Sequence, residues 1–198
     1  MAELDEDGQS VVAKIVLTGV PGSGRSAILQ QMADRYAHSS VRVGYVAGGE
    51  VFRTDFFWPD ALLDCRRLRV RLFAVSGSPS YNAVDELVLS GCDGIVFVTS
   101  VLGECLQRGR QALRTLVFNA GRNGYELDSR PVAFHYTQAD RVPGFRPELA
   151  DEALGIPPGS VARFATGLRA GEDLCQAVEW VVEWVIREQS AGQEPLVP

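Results

Sequence analysis

A glycine-rich segment follows the first apolar run of the chain, and its residue types suit phosphate chemistry. Residues 19–26 read GVPGSGRS, after the apolar run 13–17 and before residues 27–32, whose pattern predicts a helix. Glycines let a backbone curl until its N–H groups point at one anion, and a helix that begins there adds its own unpaired N–H groups. The sequence therefore predicts a phosphate-binding loop. The candidate phosphate ligands are Gly19, Gly22, Gly24, Arg25, Ser26 and Ala27.

The cation of this loop departs from the usual pattern, which has Lys where this chain has Arg25. Lys places a compact charge on the β- and γ-phosphates, whereas Arg brings a planar fork, so the two are not equivalent. Lys14 is the only lysine in the sequence, and a chain-wide exchange of lysine for arginine is one origin for Arg25. Ser26 stands where such loops place a Mg²⁺ ligand. The alternative is an ordinary glycine turn before a helix.

Composition and charge narrow the class of protein. The chain has 198 residues and a net charge of −6, which indicates one globular domain and argues against general nucleic-acid binding. Arginines alternate along 66–73, and we attribute them to a solvated strand face. Four scattered cysteines indicate reduced thiols in a cytoplasmic protein. The sequence shows no secretory signal and no run long enough for membrane insertion.

Strand-like and helix-like segments alternate through most of the chain. This order predicts an α/β fold with a mostly parallel central sheet and helices on both faces. Strands are predicted at 11–17, 41–46, 66–73, 94–99, 132–136 and 161–165. Helices are predicted from the glycine loop to about 37, at 82–89, at about 104–120, at 147–154 and at 172–188. His135, in the fifth of these strands, is interpreted as a core or strand-end histidine.

The segment 50–59 is dense in aromatic residues, lies between predicted elements and is closed by Pro59. Such residues belong either to core beneath a long loop or to a patch that a partner covers. We predict a mobile loop with a partner-facing side.

The order of several short phrases resembles that of the Ras-like small GTPases, and among them the MglA group of bacterial polarity and gliding-motility GTPases. These phrases are Arg53-Thr54, the strand that ends at Gly77, the TQAD of 137–140 and the FATG of 164–167. The most specific one is GCDGIVFV at 91–98. The resemblance implies a P-loop GTPase domain over residues 11–188, and we expect disordered tails at 1–10 and 189–198.

On the phosphate side, the resemblance implies that GTP or GDP binds with Mg²⁺. Ser26 and Thr54 would share the ion, Arg53 would be a built-in arginine finger, and Gly77 would offer its N–H to the γ-phosphate. Ser78 stands where the family has a Gln that orients the attacking water. The serine side chain is too short for that role, so hydrolysis is expected to be slow or absent.

On the base side, the resemblance implies that Asp140 accepts two hydrogen bonds from guanine and that the Ala165 N–H meets the guanine carbonyl. Thr137 and Gln138 stand where the family has Asn and Lys. We expect that Thr137 cannot bridge the loops as asparagine does, and that Gln138 covers the base less well. These substitutions put guanine specificity in question.

Two functions follow from the resemblance and its departures. The first is a divergent GTP/GDP switch that recruits partners in bacterial cell polarity or motility, with a roadblock-type activating protein and effectors as partners. The second is a pseudo-GTPase that keeps the fold as an interaction scaffold, with weak or no nucleotide binding. A kinase of small metabolites lacks support, because the sequence shows no arginine-rich lid segment.

Overall fold

The computed structural model describes residues 3–4, 8–36, 40–47, 49–63, 65–75, 82–127, 130–157, 159–169 and 171–191. The strands in these ranges are β1 (Glu3–Leu4), β2 (Ser10–Gly19), β3 (Arg42–Val46), β4 (Gly49–Leu63), β5 (Arg66–Val75), β6 (Gly94–Ser100), β7 (Val132–Thr137) and β8 (Ala162–Ala165). The helices are α1 (Arg25–Arg35), α2 (Asn82–Leu89), α3 (Gly103–Arg122), α4 (Pro147–Leu154) and α5 (Gln176–Ala191), with a 3₁₀ turn at Ala139–Arg141. The predicted α/β class is confirmed.

One sheet joins the described strands in the order β3-β4-β5-β2-β6-β7-β8, and β1 pairs with the start of β2. Four strand pairs run parallel, namely β2–β5, β2–β6, β6–β7 and β7–β8. The other three pairs are antiparallel. Every residue of β6 and β7 is buried, as expected for central strands covered on both faces. The carboxyl ends of β2, β6 and β7 therefore meet at one edge, where ligands of such sheets bind.

Helices cover both faces of the sheet and enclose two apolar cores. The first core lies under α1 and α5 and includes Ile28, Met32 and Val181. The second lies under α2, α3 and α4 and includes Val84 and Leu116. Full burial of each such side chain stabilises the fold by about 1.5–3 kcal/mol. Helices on both faces were predicted and are confirmed. No helix in the described part of the chain is long and apolar enough to cross a membrane.

The prediction of a mobile loop at 50–59 is wrong, because β4 runs through the whole segment. Phe56 is buried, and its ring stacks on that of Tyr36 with centroids 4.5 Å apart. The Trp58 ring packs against the same tyrosine at 5.3 Å. The pairing of β4 with β5 shifts its register between Phe57 and Leu62, so Pro59 lies in an irregular stretch and does not end the strand. Phe52, Phe56 and Trp58 thus belong to the core beside α1, whereas the Phe57 ring lies under Arg67 and Arg69.

The ends of the folded region differ from the expected boundaries. Glu3 and Leu4 pair with Val12 and Val11, before the point at which β6 joins β2. α5 continues to Ala191, into the segment expected to be a disordered tail.

The start of α5 also differs from the predicted position at 172. The Leu174 N–H donates to Gln31 Oε1 at 2.6 Å, and the Cys175 N–H donates to Asp173 Oδ1 at 3.0 Å. These side chains satisfy the backbone in place of helical hydrogen bonds, so α5 begins only at Gln176.

Candidate nucleotide-binding site

The backbone between β2 and α1 forms a tight loop against the end of β6. The Val20 N–H donates to the Val98 carbonyl at 3.2 Å, and the Ser23 N–H donates to the Val20 carbonyl at 3.2 Å. Gly19 has φ +125°, and a Cβ there would lie 2.0 Å from the Val98 oxygen, so only glycine fits. Gly22, with φ +75°, has open space around it. The Ser23 Oγ is buried and has no partner among the described residues, as expected of a loop built around a ligand.

Helix α1 begins in this loop with its N-terminal N–H groups uncapped. Gly24 precedes it with φ +93°, and in this described region no side chain caps the helix or adds an acid to its first turn. The Ile28 N–H already bonds the Gly24 carbonyl, whereas those of Arg25, Ser26 and Ala27 have no acceptor within the helix. Ser26 and Ala27 are exposed. The helix thus offers an anion both N–H groups and the positive end of its dipole.

The Arg25 side chain folds back into the loop, where it is 6% exposed. Its Nη2 donates to the Val20 carbonyl at 3.4 Å, a long hydrogen bond. Burial lowers the pKa of Arg25 to about 10, and the nearby carboxylate of Asp85 in α2 partly opposes this. Burial raises the pKa of Asp85, against the effect of Arg25. Arg25 therefore keeps its charge at neutral pH and holds it at the loop.

Thr54 and Arg53, expected beside the phosphates, both lie in β4. Side chains alternate along a strand, so Thr54 faces α1 together with Phe56. Thr54 is 1% exposed, and its Oγ1 has no partner among the described residues. The Arg53 Nε bonds Asp55 Oδ2 on the opposite face at 3.0 Å. Ser26, exposed at the start of α1, fits a Mg²⁺ ligand, whereas Thr54 does not fit one in this strand.

Thr137 connects the phosphate loop to the sheet, contrary to expectation. Its hydroxyl donates to the Ser23 carbonyl at 2.7 Å and lies 3.4 Å from the Thr99 carbonyl. Thr137 is the last residue of β7 and is fully buried, so a short side chain is sufficient to reach the loop. The prediction that threonine cannot make the bridge is wrong.

Gln138 follows in a left-handed conformation, with φ +61°. Its Oε1 accepts a hydrogen bond from Ser100 Oγ at 2.5 Å, and the Leu102 N–H donates to that same hydroxyl at 3.2 Å. The Gln138 amide is therefore engaged with the end of β6.

Asp140 lies in the 3₁₀ turn beside the loop that follows β8. The Ala139 N–H donates to the Thr166 carbonyl at 3.1 Å and links the two segments. Asp140 Oδ2 pairs with Arg169 Nε at 2.8 Å, while Oδ1 is buried and has no partner in the described chain. Ala165, expected to offer its N–H to the base, is exposed at the end of β8. Both base-reading candidates thus lie at one edge of the sheet.

Comparison with known proteins shows a similarity to a gliding-motility protein. The mutual gliding-motility protein MglA of Myxococcus xanthus is 28% identical over an alignment of 144 residues, and the alignment covers 71% of this chain and 74% of that protein. The chain is related to the Ras-like small GTPases and is close to MglA. No protein-family profile matches the sequence.

Two further candidate site residues, Gly77 and Ser78, lie outside the described residues. Their expected roles at the γ-phosphate and the attacking water stay predictions. The shared Mg²⁺ site also stays a prediction, because Ser26 is exposed at the start of α1 whereas Thr54 is buried in β4.

His135 is a core residue, as predicted. It is fully buried in β7, and its Nε2 lies 2.7 Å from Thr166 Oγ1. Burial lowers the pKa of His135 to about 4, with Asp173 partly opposing. The imidazole is therefore neutral at pH 7 and holds the loop after β8 to the sheet.

Two charged residues near the site were missed from the sequence. Arg169 binds Asp140, and Asp85 faces Arg25. Neither belongs to a motif of the resemblance. The position of Arg169, four residues after Ala165, was the only signal available.

Proposed function

We propose that this chain is a guanine-nucleotide switch of the MglA type that binds GTP and GDP with Mg²⁺ and hydrolyses GTP slowly. The observation that carries the proposal is the uncapped start of α1 behind a glycine loop, with the charge of Arg25 held beside it. The relationship to MglA supports the same conclusion.

In this proposal the phosphates lie against the N–H groups of Arg25, Ser26 and Ala27. The orphaned Ser23 hydroxyl supports a ligand at this loop. Ser26 would hold Mg²⁺, which when bound offsets the charge of the phosphate oxygens. The positive charge of Arg25 and the dipole of α1 both attract the negatively charged phosphates.

The base side of the proposal rests on Asp140 and Ala165. Guanine presents a ring N–H and an amino group to one carboxylate, and a carbonyl to a backbone N–H. Thr137 supports the phosphate side and the base side of the site, because it ties the phosphate loop to the strand that leads to Asp140.

Slow hydrolysis is expected from Ser78 and Arg53, the residues that would orient the attacking water and stabilise the transferring phosphoryl group. Ser78 is too short to orient a water molecule. Arg53 is bound to Asp55 in β4, so it must leave that ion pair before it can act as an arginine finger.

The biological role in the proposal is bacterial cell polarity or motility, in the cytoplasm. The relative in Myxococcus xanthus is named for gliding motility. A roadblock-type activating protein and effectors are the proposed partners.

The test uses the full chain and two variants that differ only in charge. Ala27→Glu puts a carboxylate at the start of α1, where it suits the helix dipole but repels phosphate. Ala27→Gln is the neutral control of similar size. Calorimetry and thermal shift with GTP, GDP and ATP, each with Mg²⁺, measure binding, and phosphate release measures turnover.

We expect the wild type and Ala27→Gln to bind guanine nucleotides at micromolar affinity or better. We expect Ala27→Glu to bind them at least about tenfold more weakly, as one repelled charge implies. No heat and no thermal shift with Mg²⁺–GTP would leave the scaffold alternative.

A further inference from the structure

We propose that Arg169 covers the carboxylate of Asp140 in the nucleotide-free protein and weakens its discrimination between guanine and bases that lack the amino group. This inference rests on the proposed function, and it assigns a specificity-determining role to a residue outside the motifs of the resemblance.

Arg169 occupies one oxygen of the Asp140 carboxylate in the present structure. Oδ2 is paired with Arg169 Nε at 2.8 Å, and the carboxylate side chain is only 17% exposed. Oδ1 is buried beside Gly167, where an added Cβ would lie 2.9 Å from this oxygen. A base that bonds Oδ2 must therefore displace the guanidinium from that oxygen.

The unpartnered Oδ1 points to a ligand that supplies a donor. A buried carboxylate oxygen normally accepts a hydrogen bond, and leaving it without one is unfavourable. No described residue donates to Oδ1. Glu172 does not fill this role, since its Oε1, also an acceptor, lies 3.0 Å from the same Cβ position at Gly167. An N–H of a base is the donor that the proposed function brings to this point.

The covering side chain is free to move away. Arg169 is 74% exposed, so its ion pair with Asp140 is screened by water and is weak. Binding of a base replaces this ion pair with hydrogen bonds to the carboxylate. The loss of the ion pair offsets part of the binding free energy that the new hydrogen bonds to the base contribute.

The amino group of guanine is the feature whose recognition suffers most. Guanine offers a ring N–H and an amino group, which together need both carboxylate oxygens. Hypoxanthine has the ring N–H but no amino group, so it needs only one. Competition by Arg169 for Oδ2 therefore reduces the advantage of GTP over inosine triphosphate.

The experiment compares the affinities of GTP and inosine triphosphate, with Mg²⁺, for the wild type, Arg169→Ala and Arg169→Met. Arg187→Ala is the matched control, because Arg187 is similarly exposed and its ion pair among the described residues is with Glu183 on the surface of α5. We expect Arg169→Ala and Arg169→Met to bind GTP about three- to tenfold tighter, as the loss of one competing surface pair and the gain of a charged hydrogen bond imply. Inosine triphosphate should gain less, so the ratio of the two affinities should rise.

Different results separate this inference from the proposed function. If all four proteins bind GTP with one ratio to inosine triphosphate, Arg169 does not act on specificity, although the switch proposal stands. If only the two Arg169 variants bind GTP, Arg169 does cover the Asp140 carboxylate in the wild type. If none of the proteins binds GTP, removal of Arg169 has opened no site, and both proposals fail.

Discussion

The two ends of the candidate site are built in different ways. At the phosphate end the ligands are backbone N–H groups, and the start of α1 leaves three of them without an acceptor inside the helix. At the base end the ligand is a side chain, and Arg169 already binds it. The phosphate end is thus fixed by the path of the chain, whereas the base end depends on which neighbours compete for Asp140.

This difference explains why departures from the usual motifs have different consequences at the two ends. Arg25 stands where the usual motif has a lysine, and the loop still curls, because the curl depends on Gly19 and its contact with Val98. Around the base, Gln138 bonds Ser100 and Thr137 bonds the Ser23 carbonyl. A site built from backbone N–H groups therefore depends less on the identity of its side chains than one built on a carboxylate.

The strongest test of a backbone-built phosphate end is the exchange of its glycines. Gly19→Ala places a Cβ 2.0 Å from the Val98 carbonyl oxygen, in addition to the strain of φ +125°. We expect a loss of about 3–5 kcal/mol in the free energy of unfolding, from steric overlap and backbone strain together. Urea denaturation followed by circular dichroism measures it.

Gly22→Ala is the matched control for this exchange. It has a positive φ of +75° but no atom within 4 Å of the added Cβ, so only strain remains, about 1 kcal/mol. Equal losses in the two variants would mean that close packing against β6 does not hold the loop.

The base end should be the more sensitive to pH, because His135 is buried there as a neutral ring. The pKa of His135 is about 4 in the folded protein and about 6.5 in the unfolded chain. The unfolded chain therefore binds the proton first, and stability falls as the pH decreases from about 6.5 to about 4. We expect a loss of up to about 3 kcal/mol across this range.

Urea denaturation of the wild type and of His135→Gln at pH 7 and pH 4.5 separates this contribution from that of the carboxylates. The variant should lose less stability between the two pH values. Identical losses would show that the burial of His135 does not govern the acid sensitivity.

The contrast between the two ends also decides what the sequence could predict. The alternation of strands and helices, and the loop between β2 and α1, follow from local patterns in the chain, and the structure agrees with them. The assignment of 50–59 to a loop failed because Pro59 suggested an end, whereas Tyr36 and α1 hold Phe56 in a strand. That contact joins distant parts of the chain.

Side-chain partners at the base end could not be predicted for the same reason. Arg169 and Asp140 are far apart in sequence, and nothing local indicates that they meet. The reach of the Thr137 hydroxyl to the Ser23 carbonyl depends on the distance between two loops, which only the packed fold determines.

Thr137 joins the two ends, and its removal should cost less stability than Gly19→Ala or the protonation of His135. Thr137→Val keeps the shape but leaves the Ser23 carbonyl without the donor that lies 2.7 Å away. Loss of one buried hydrogen bond costs about 1–2 kcal/mol, and Thr137→Ser, which keeps the hydroxyl, should cost less. If the ends are coupled through this bond, Thr137→Val should also weaken GTP and ATP binding alike, because it loosens the loop and not the base reader. A loss confined to GTP would instead place Thr137 with the base end alone, and calorimetry with both nucleotides distinguishes the two outcomes.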